Sequence, residues 1–584
     1  MKKYLLIIMS CMLFFSCKKE YLEVNPLGSV DENILATKQG VNGVLIGAYS
    51  LLDGVGTGGG DIYGSNLVLA TIPSDDAHTG TIPNGILAQI EGFTTDATSA
   101  PFNNRWLLLY SSVQRTNDVL RILSKVNGLT TAETKQIKSE ALFLRAFYHM
   151  ESAKMWKNVP FVDESVTYQS GNFYVSNTPS IWPKIEEDFK FAAANLSETN
   201  SEVGRANSWA AKSFLAKAYM FQNKFADAKT LLDDIIANGK TVNGLKYALQ
   251  PLYHNNFATN TKHSSEAVFT VQMSVNDGSS GQNGNFTDTY GGPFNSPASA
   301  GYGWLQPSFD LVNSYQTDAV TGLPLLDTYQ NTPVKSDQGI ASTAAFIPYI
   351  GTLDSRLDWN VGRRGIPFLD WGYHPGQAWV RQQSSGGPYN VIKHISSKVG
   401  VTERQTKNTN NPYNLIRFAD ILLWAAEVEV EIGSLRRAEE FVNLIRARAA
   451  NPVGFVKKYI NDNPDQGFSN IPAANYKVGL YTGQFTANGK DFARKALRFE
   501  RRLELAFEHH RLFDLRRYDN GTGYMADLMN KYLKFEASVP NYNNSYMIGS
   551  IFTKGQDELY PIPQIQIDLS KKDGVPTLIQ NPNY

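Results

Sequence analysis

The chain has 584 residues, 55 Lys plus Arg against 55 Asp plus Glu, and only two cysteines. That length allows one to three domains with a sizeable core. The balanced charge excludes the basic footprint of a nucleic-acid binder and the polybasic helix of a membrane-surface protein.

Two lysines precede an apolar run from Tyr4 to Phe15, which stops at Ser16 before Cys17. This is the layout of a secretory signal, and it is shorter than the ~20 apolar residues that span a bilayer. A cysteine directly after the small residue predicts lipoprotein processing. Residues 1–16 would be removed and Cys17 would carry lipid, although Phe14 stands where such a box usually has leucine. An ordinary cleaved signal with a cysteine nearby is the alternative. Because Cys11 lies in the leader, the mature chain would keep one cysteine and no internal disulfide. No later segment is apolar for long enough to cross a membrane, so attachment is expected through lipid alone, for which two acyl chains suffice.

From the mature N-terminus to about Asn238 the pattern is helical. Lys38 to Leu52 places Val41, Val44, Leu45 and Ala48 at helical spacing, and Asn104 to Val126 does the same with Leu107, Leu108, Val113, Val119, Leu120 and Leu123. Thr131 to Trp156 is predicted to start at a Thr131 cap and to end before Pro160. Ser208 to Gln222 and Phe225 to Asn238 form two runs across Asn223-Lys224, with small residues (Ala211, Ala218, Ala228) alternating with large ones. Ile421 to Ile432 and Leu435 to Ala449 repeat that arrangement around Gly433. Such pairs follow the logic of tetratricopeptide repeats, so the expected fold is mostly α, a helical-repeat scaffold with an irregular part. Val275 to Trp304 is rich in Gly, Asn and Ser, and the loop-rich region 275–390 holds Trp304, Trp359, Trp371 and Trp379, four of the nine tryptophans. Helical character is expected to return at Pro412.

Six motifs in order carry a resemblance. They are Tyr21-Leu22-Glu23-Val24-Asn25-Pro26; Gly47-Ala48-Tyr49 with Ser74-Asp75-Asp76; Glu140 to Phe147 with Trp156 and Val159-Pro160; Ile416 to Leu423 with Ala426-Glu427; Glu500 to Arg517; and Tyr560-Pro561-Ile562-Pro563 with Gln580 to Tyr584. With them the chain resembles the SusD/RagB family of outer-membrane nutrient-binding lipoproteins. The resemblance implies one SusD-like domain over 17–584, with an N-terminal helical part (17–240) and a C-terminal part (275–584). It also implies a lipid-anchored, surface-facing protein that hands oligosaccharides, or in some relatives peptides, to a SusC-like TonB-dependent outer-membrane transporter.

Catalysis is not expected. Glu500, Glu504 and Glu508 stand at helical spacing beside arginines, which reads as a salt-bridge ladder and not as the facing carboxylate pair of a glycosidase. No HExxH, EF-hand spacing, nucleophile elbow or P-loop occurs, so neither a metal nor a cofactor is predicted. For Asp75-Asp76, turn or cap duty is the favoured reading. Trp156, Trp182, Trp209 and Trp424 lie on helical apolar faces and read as core. Loop tryptophans more often meet a ligand, and sugar C–H faces stack on indoles while hydroxyls reach side chains such as Asn285, Asp288, Asn295, Asp370, Gln377 and Arg381. Trp359 is the weakest of the four, since Leu353 to Asp358 reads as a packed turn. The predicted ligand set is Trp304, Trp371 and Trp379 with Asn295 and Arg381, and Asp75 from the Ser74-Asp75-Asp76 loop. A polysaccharide-degrading enzyme and a protein-binding scaffold remain as other readings.

Overall fold

The computed structural model describes residues 32–52, 65–80, 85–279, 283–284, 291–299, 301–398 and 409–584. The leader, Cys17, Asn285 and Asp288 lie outside the described residues. Among those residues, no helix is long and apolar enough to cross a membrane.

Caps and apolar stripes place the first helices. In α1 (Lys38–Tyr49) the Thr37 hydroxyl accepts from Gly40 N–H, and Val41, Leu45 and Ala48 are buried. The short strand β1 (Ala77–His78) and helix α2 (Gly85–Glu91) precede α3 (Ala100–Leu123) and α4 (Thr131–Trp156). The cap of α4 is Thr130, one residue before the predicted Thr131. Its hydroxyl accepts from Glu133 N–H at 3.2 Å while Glu133 accepts from Thr130 N–H at 2.9 Å. Only from that position can Glu133, third in the helix, close the reciprocal capping box. From Ser139 to Trp156 every residue of α4 is buried, because α1, α3 and α5 (Trp182–Asn195) pack around it.

α6 (Ser208–Phe221) and α7 (Phe225–Asn238) form the first predicted pair, with Ala211, Ala218 and Ala228 fully buried. Phe143 of α4 meets Phe214 of α6 edge-on at 5.4 Å and Phe269 at 5.1 Å. Trp156, Trp209 and Trp424 are buried, and Trp182 is half-buried against Phe221.

Beyond α7 the chain leaves the helical body. β2 (Ala267–Val271), β3 (Gln306–Pro307), α8 (Phe309–Ser314), β4 (Val361–Gly362), β5 (Asn390–Val391) and β6 (Tyr413–Arg417) follow. The strands form two-stranded antiparallel pairs, β1 with β3, β2 with β6 and β4 with β5. Helix was expected from Pro412, but Tyr413–Arg417 is a strand with Tyr413 opposite Val271 and Arg417 opposite Ala267. Backbone partners on β2 hold this segment extended, and α9 (Phe418–Ile432) begins directly after it. The β2–β6 pair thus closes the base of the loop-rich excursion. α10 (Leu435–Ala449) completes the second predicted pair, and α7 packs against α9, so the two pairs stack as neighbours. Arg437 bonds Asp233 at 2.6 Å and Lys229 pairs with Glu429 across that junction.

The hairpin β7 (Lys457–Tyr459) and β8 (Phe468–Pro472) leads to α11 (Gln484–Leu505, interrupted at Gly489), α12 (Arg511–Asp519) and α13 (Tyr524–Ala537). The acidic ladder holds for Glu500 and Glu504. Glu508 is off the helix, since α11 ends at Leu505 and Phe507 and His509 take φ of 63° and 62°. All three carboxylates nevertheless enter one buried ion cluster. Arg417 bonds Glu266 (2.8 Å), Glu504 (2.6 Å) and Glu508 (2.7 Å). Arg448 pairs with Glu266 and Glu504. Arg356 reaches Asp354, Glu500 and Glu504, and Arg446 bonds Glu500 at 2.7 Å. These acids serve the fold, tying β6, α10, α11 and the excursion together. A main apolar core extends from Val41 to Leu578, and a small second cluster (Ala298, Phe368, Trp371, Ile392, Ile395) lies in the excursion.

Candidate functional site

The excursion is seated on the scaffold by β1–β3. Ser308 donates to the Asp75 and Asp76 carbonyls from its hydroxyl (2.7 Å) and its N–H (3.0 Å). Gly80, just after β1, takes φ +70°, and a Cβ there would sit 2.2 Å from the Gly303 carbonyl oxygen. Glycine lets the two loops touch at this point. Gly303 N–H donates to Gly292 O and Phe294 N–H donates to Trp379 O, both at 3.1 Å. Segments 292–295, 302–304 and 379–381 therefore form one rim.

Four of the predicted residues meet on that rim. Trp379 is half-buried, edge-on to Phe368 and His374 at 5.5 Å each. The Arg381 guanidinium lies 5.4 Å over the Phe294 ring. Asn295 is exposed, held at φ 53°. Trp304 is buried, and the exposed ring beside it is Tyr302, 6.3 Å between centroids. Tyr302 was missed in the sequence, where indoles alone were weighed as platforms.

Trp371 and Asp75 are placed differently. Trp371 lies in the second core cluster with its indole N–H donating to Ser396 O at 2.9 Å, so it braces a wall and offers little ring face. Asp75 is 1% exposed. Arg511 grips it with two 2.7 Å bonds and Arg502 lies 3.2 Å away. Burial pushes the Asp75 carboxyl up, but Arg502 and Arg511 outweigh this and hold it at about 2. Arg502 also bonds Asp76 (2.9 Å) and Asp310 (2.7 Å). Asp75 thus belongs to a buried ion cluster and does not present a free loop carboxylate. Asp75 and Asp76 do lie in a turn just before β1, as their sequence suggests, but the Asp75 side chain is spent on the arginines and caps no helix.

Behind Trp371 lies a cavity of about 360 Å³. Leu369 and Asp370 form part of its wall, and Trp359 lines it, stacked on His254 at 3.9 Å and 8°. Sequence ranks Trp359 last because Leu353 to Asp358 reads as a packed turn, and those six residues are indeed buried. Its partner His254 lies about a hundred positions earlier, and no local pattern signals that pairing. Among the described residues no group of three or more His, Cys, Asp or Glu is arranged to hold a metal.

Two family descriptions match this sequence: the SusD family over residues 265–584, and starch-binding associating with outer membrane over residues 20–220. The chain belongs to the SusD family. SusD-like protein P2 of Formosa agariphila is 22% identical over 532 residues, covering 89% of this chain and 92% of that protein. Among solved structures, a SusD superfamily protein from Bacteroides vulgatus aligns with a TM-score of 0.65 at 20% identity, over 95% of this chain and 99% of that one. Surface glycan-binding protein A from Bacteroides thetaiotaomicron, in complex with laminarihexaose, aligns with a TM-score of 0.61 at 18% identity, over 94% and 100%. These likenesses establish the SusD fold, the helical tetratricopeptide-like architecture described above.

Proposed function

We propose that this SusD-family protein binds an oligosaccharide at the loop rim without cleaving it and delivers it to a SusC-like TonB-dependent outer-membrane transporter. In this reading lipid on Cys17 tethers it to the outer membrane, facing outward. The observation that carries the binding reading is the meeting of Trp379, Tyr302, Arg381 and Asn295 on one rim over a rigid core. Aromatic faces there suit sugar C–H surfaces, and the amide and guanidinium suit hydroxyl groups. The glycan-binding relative of the same fold supports this ligand class. The carboxylates of the Glu500–Glu508 motif are all committed to arginines or Lys393, which argues against reading them as an acid–base pair. The rim would suit a peptide less well, since among its described residues Arg381 is the one charged group.

A glycan panel on native gels and by calorimetry tests this reading. Retention without new reducing ends is expected for the wild type, and Trp379→Ala should weaken the cognate oligosaccharide about ten- to a hundredfold. New reducing ends, or full affinity in the variant, would overturn the reading. Palmitate labelling that is lost in Cys17→Ala, protease shaving of intact cells and co-purification with a transporter test the anchor, the orientation and the partner.

A further inference from the structure

We infer that the cavity behind Trp371 is a second sugar site, distinct from the rim, that takes a single neutral pyranose ring. The inference rests on the carbohydrate reading above and adds a site to it.

Size sets the first limit. At about 360 Å³ the cavity lies near the lower end of the ~300–1,000 Å³ range of small-molecule pockets, which is room enough for a sugar ring. Chemistry sets the second. Trp359 is half-buried and rigidly placed, because its indole N–H donates to Gly454 O at 2.7 Å and its ring stacks on His254. Phe468 of β8, 47% exposed, brings a second aromatic ring to the same cavity. Aromatic rings beside hydroxyl and amide groups, among them Thr259, Asn260 and Ser397, match the apolar faces and polar edge of a pyranose.

Charge sets the third. Lys393, at the cavity wall, is already committed to Glu508 and the Ala506 carbonyl at 2.7 Å each. Asp370 accepts twice from Lys398 N–H, at 2.8 and 2.9 Å. Among the described lining residues Lys393 is thus answered by a carboxylate, while Asp370 keeps lone pairs that can accept from a hydroxyl, so the wall disfavours an anion and suits a hydroxyl-bearing ligand. One polar atom is left over. His254 Nδ1 is enclosed with no hydrogen-bond partner among the described residues, and burial lowers the imidazole to about 4, so the ring is neutral at ordinary pH. That nitrogen is sealed from the cavity, and the ring serves there as a neutral backing that holds Trp359 in place. The wall also carries backbone strain. Leu369 takes φ +53°, rare for a branched side chain, and is pinned there by the Tyr459 hydroxyl donating to its carbonyl at 2.7 Å. The same turn separates the two sites, because Phe368 packs on Trp379 of the rim while Leu369 and Asp370 face the cavity.

Saturation-transfer NMR with methyl pyranosides of glucose, galactose, mannose and xylose tests the inference on wild type and three variants. Asn260→Trp plugs the mouth from an exposed position, Phe468→Ala removes a lining ring from a surface hairpin, and Arg381→Ala disturbs only the rim. At least one pyranoside should bind the wild type, weaken by at least about tenfold in both cavity variants, and bind Arg381→Ala within about twofold. Unchanged melting temperatures would show that the variants fold. Pyranoside binding that survives both cavity variants, or that depends on Arg381 alone, overturns the second site. Oligosaccharide retention with no pyranoside binding also overturns it while leaving the rim reading intact. If wild type binds neither the glycan panel nor any pyranoside, the carbohydrate reading fails and the second site fails with it.

Discussion

In the helical scaffold, charged side chains from distant motifs bury one another. Arg417 meets Glu266, Glu504 and Glu508, and Asp75 meets Arg502 and Arg511. On the excursion rim, Arg381 rests over an aromatic ring with no carboxylate partner among the described residues, and Asn295 faces solvent. The first arrangement is closed, because every charge is answered within the protein. The second is open, with polar groups left to meet something else. Motif residues with the most chemical character therefore hold the fold, while the Gly- and Trp-rich loops between them carry the rim proposed above to meet a ligand.

The sharpest test of this contrast is to remove one central charge. Arg417→Met leaves Glu504 and Glu508 short of their shared cation and should cost ~3–5 kcal/mol of stability or abolish folding. Urea melts measure it, and a loss below about 1 kcal/mol would mean that the cluster is not a closed unit. A smaller effect follows from pH. His78, fully buried, bonds Glu91 and Glu536 at 3.0 Å each. Burial alone would lower its imidazole pKa, but the hydrogen bonds with Glu536 and Glu91 outweigh this and raise it to about 9. A raised folded-state pKa means that the stabilisation is fully present below the unfolded value of about 6.5 and is lost as pH rises through about 9. The stability difference between wild type and His78→Gln should therefore shrink by up to ~3 kcal/mol over that interval. A difference independent of pH would contradict the charged assignment.

Next comes packing. Ala218 is fully buried where α6 meets its neighbours, so Ala218→Leu should overpack that contact at ~1–3 kcal/mol and leave the ligand affinity of the folded fraction unchanged. An unaltered melting temperature would mean that the helix contact tolerates bulk. The smallest stability effect belongs to the rim. Arg381→Met should change folding by less than ~0.5 kcal/mol yet weaken oligosaccharide binding about tenfold. If Arg381→Met instead destabilises as Arg417→Met does, the open–closed distinction is lost.

The scaffold was readable because its signals are local. The bounds of α7 and α10 agree with the spacing of their apolar residues, since Lys224 and Gly433 interrupt the pattern on either side. Apart from small local shifts such as the Thr130 cap, the larger differences involve partners far along the chain. Tyr413–Arg417 took its strand from β2, some 150 positions away, and Asp75 looked like a free loop carboxylate because Arg502 and Arg511 lie more than 400 positions away. On the excursion, the concentration of tryptophans singled out a region but not the placement of each ring. Composition could not tell that Trp304 and Trp371 would turn inward while Tyr302 stayed exposed, or that Trp359 would find His254.

α7 and α9 touch although residues 239–417 separate them, and that connectivity bears on how the protein is assembled and diversified. The helical stack cannot close until the whole excursion has been looped out, so late, long-range closure should make folding slow. Once β2 and β6 have paired, the length of what lies between them matters little. Doubling a flexible loop costs only about 0.6 kcal/mol of closure entropy. Insertions between the two strands should then leave the helical body almost undisturbed, so that one scaffold tolerates ligand loops of very different length.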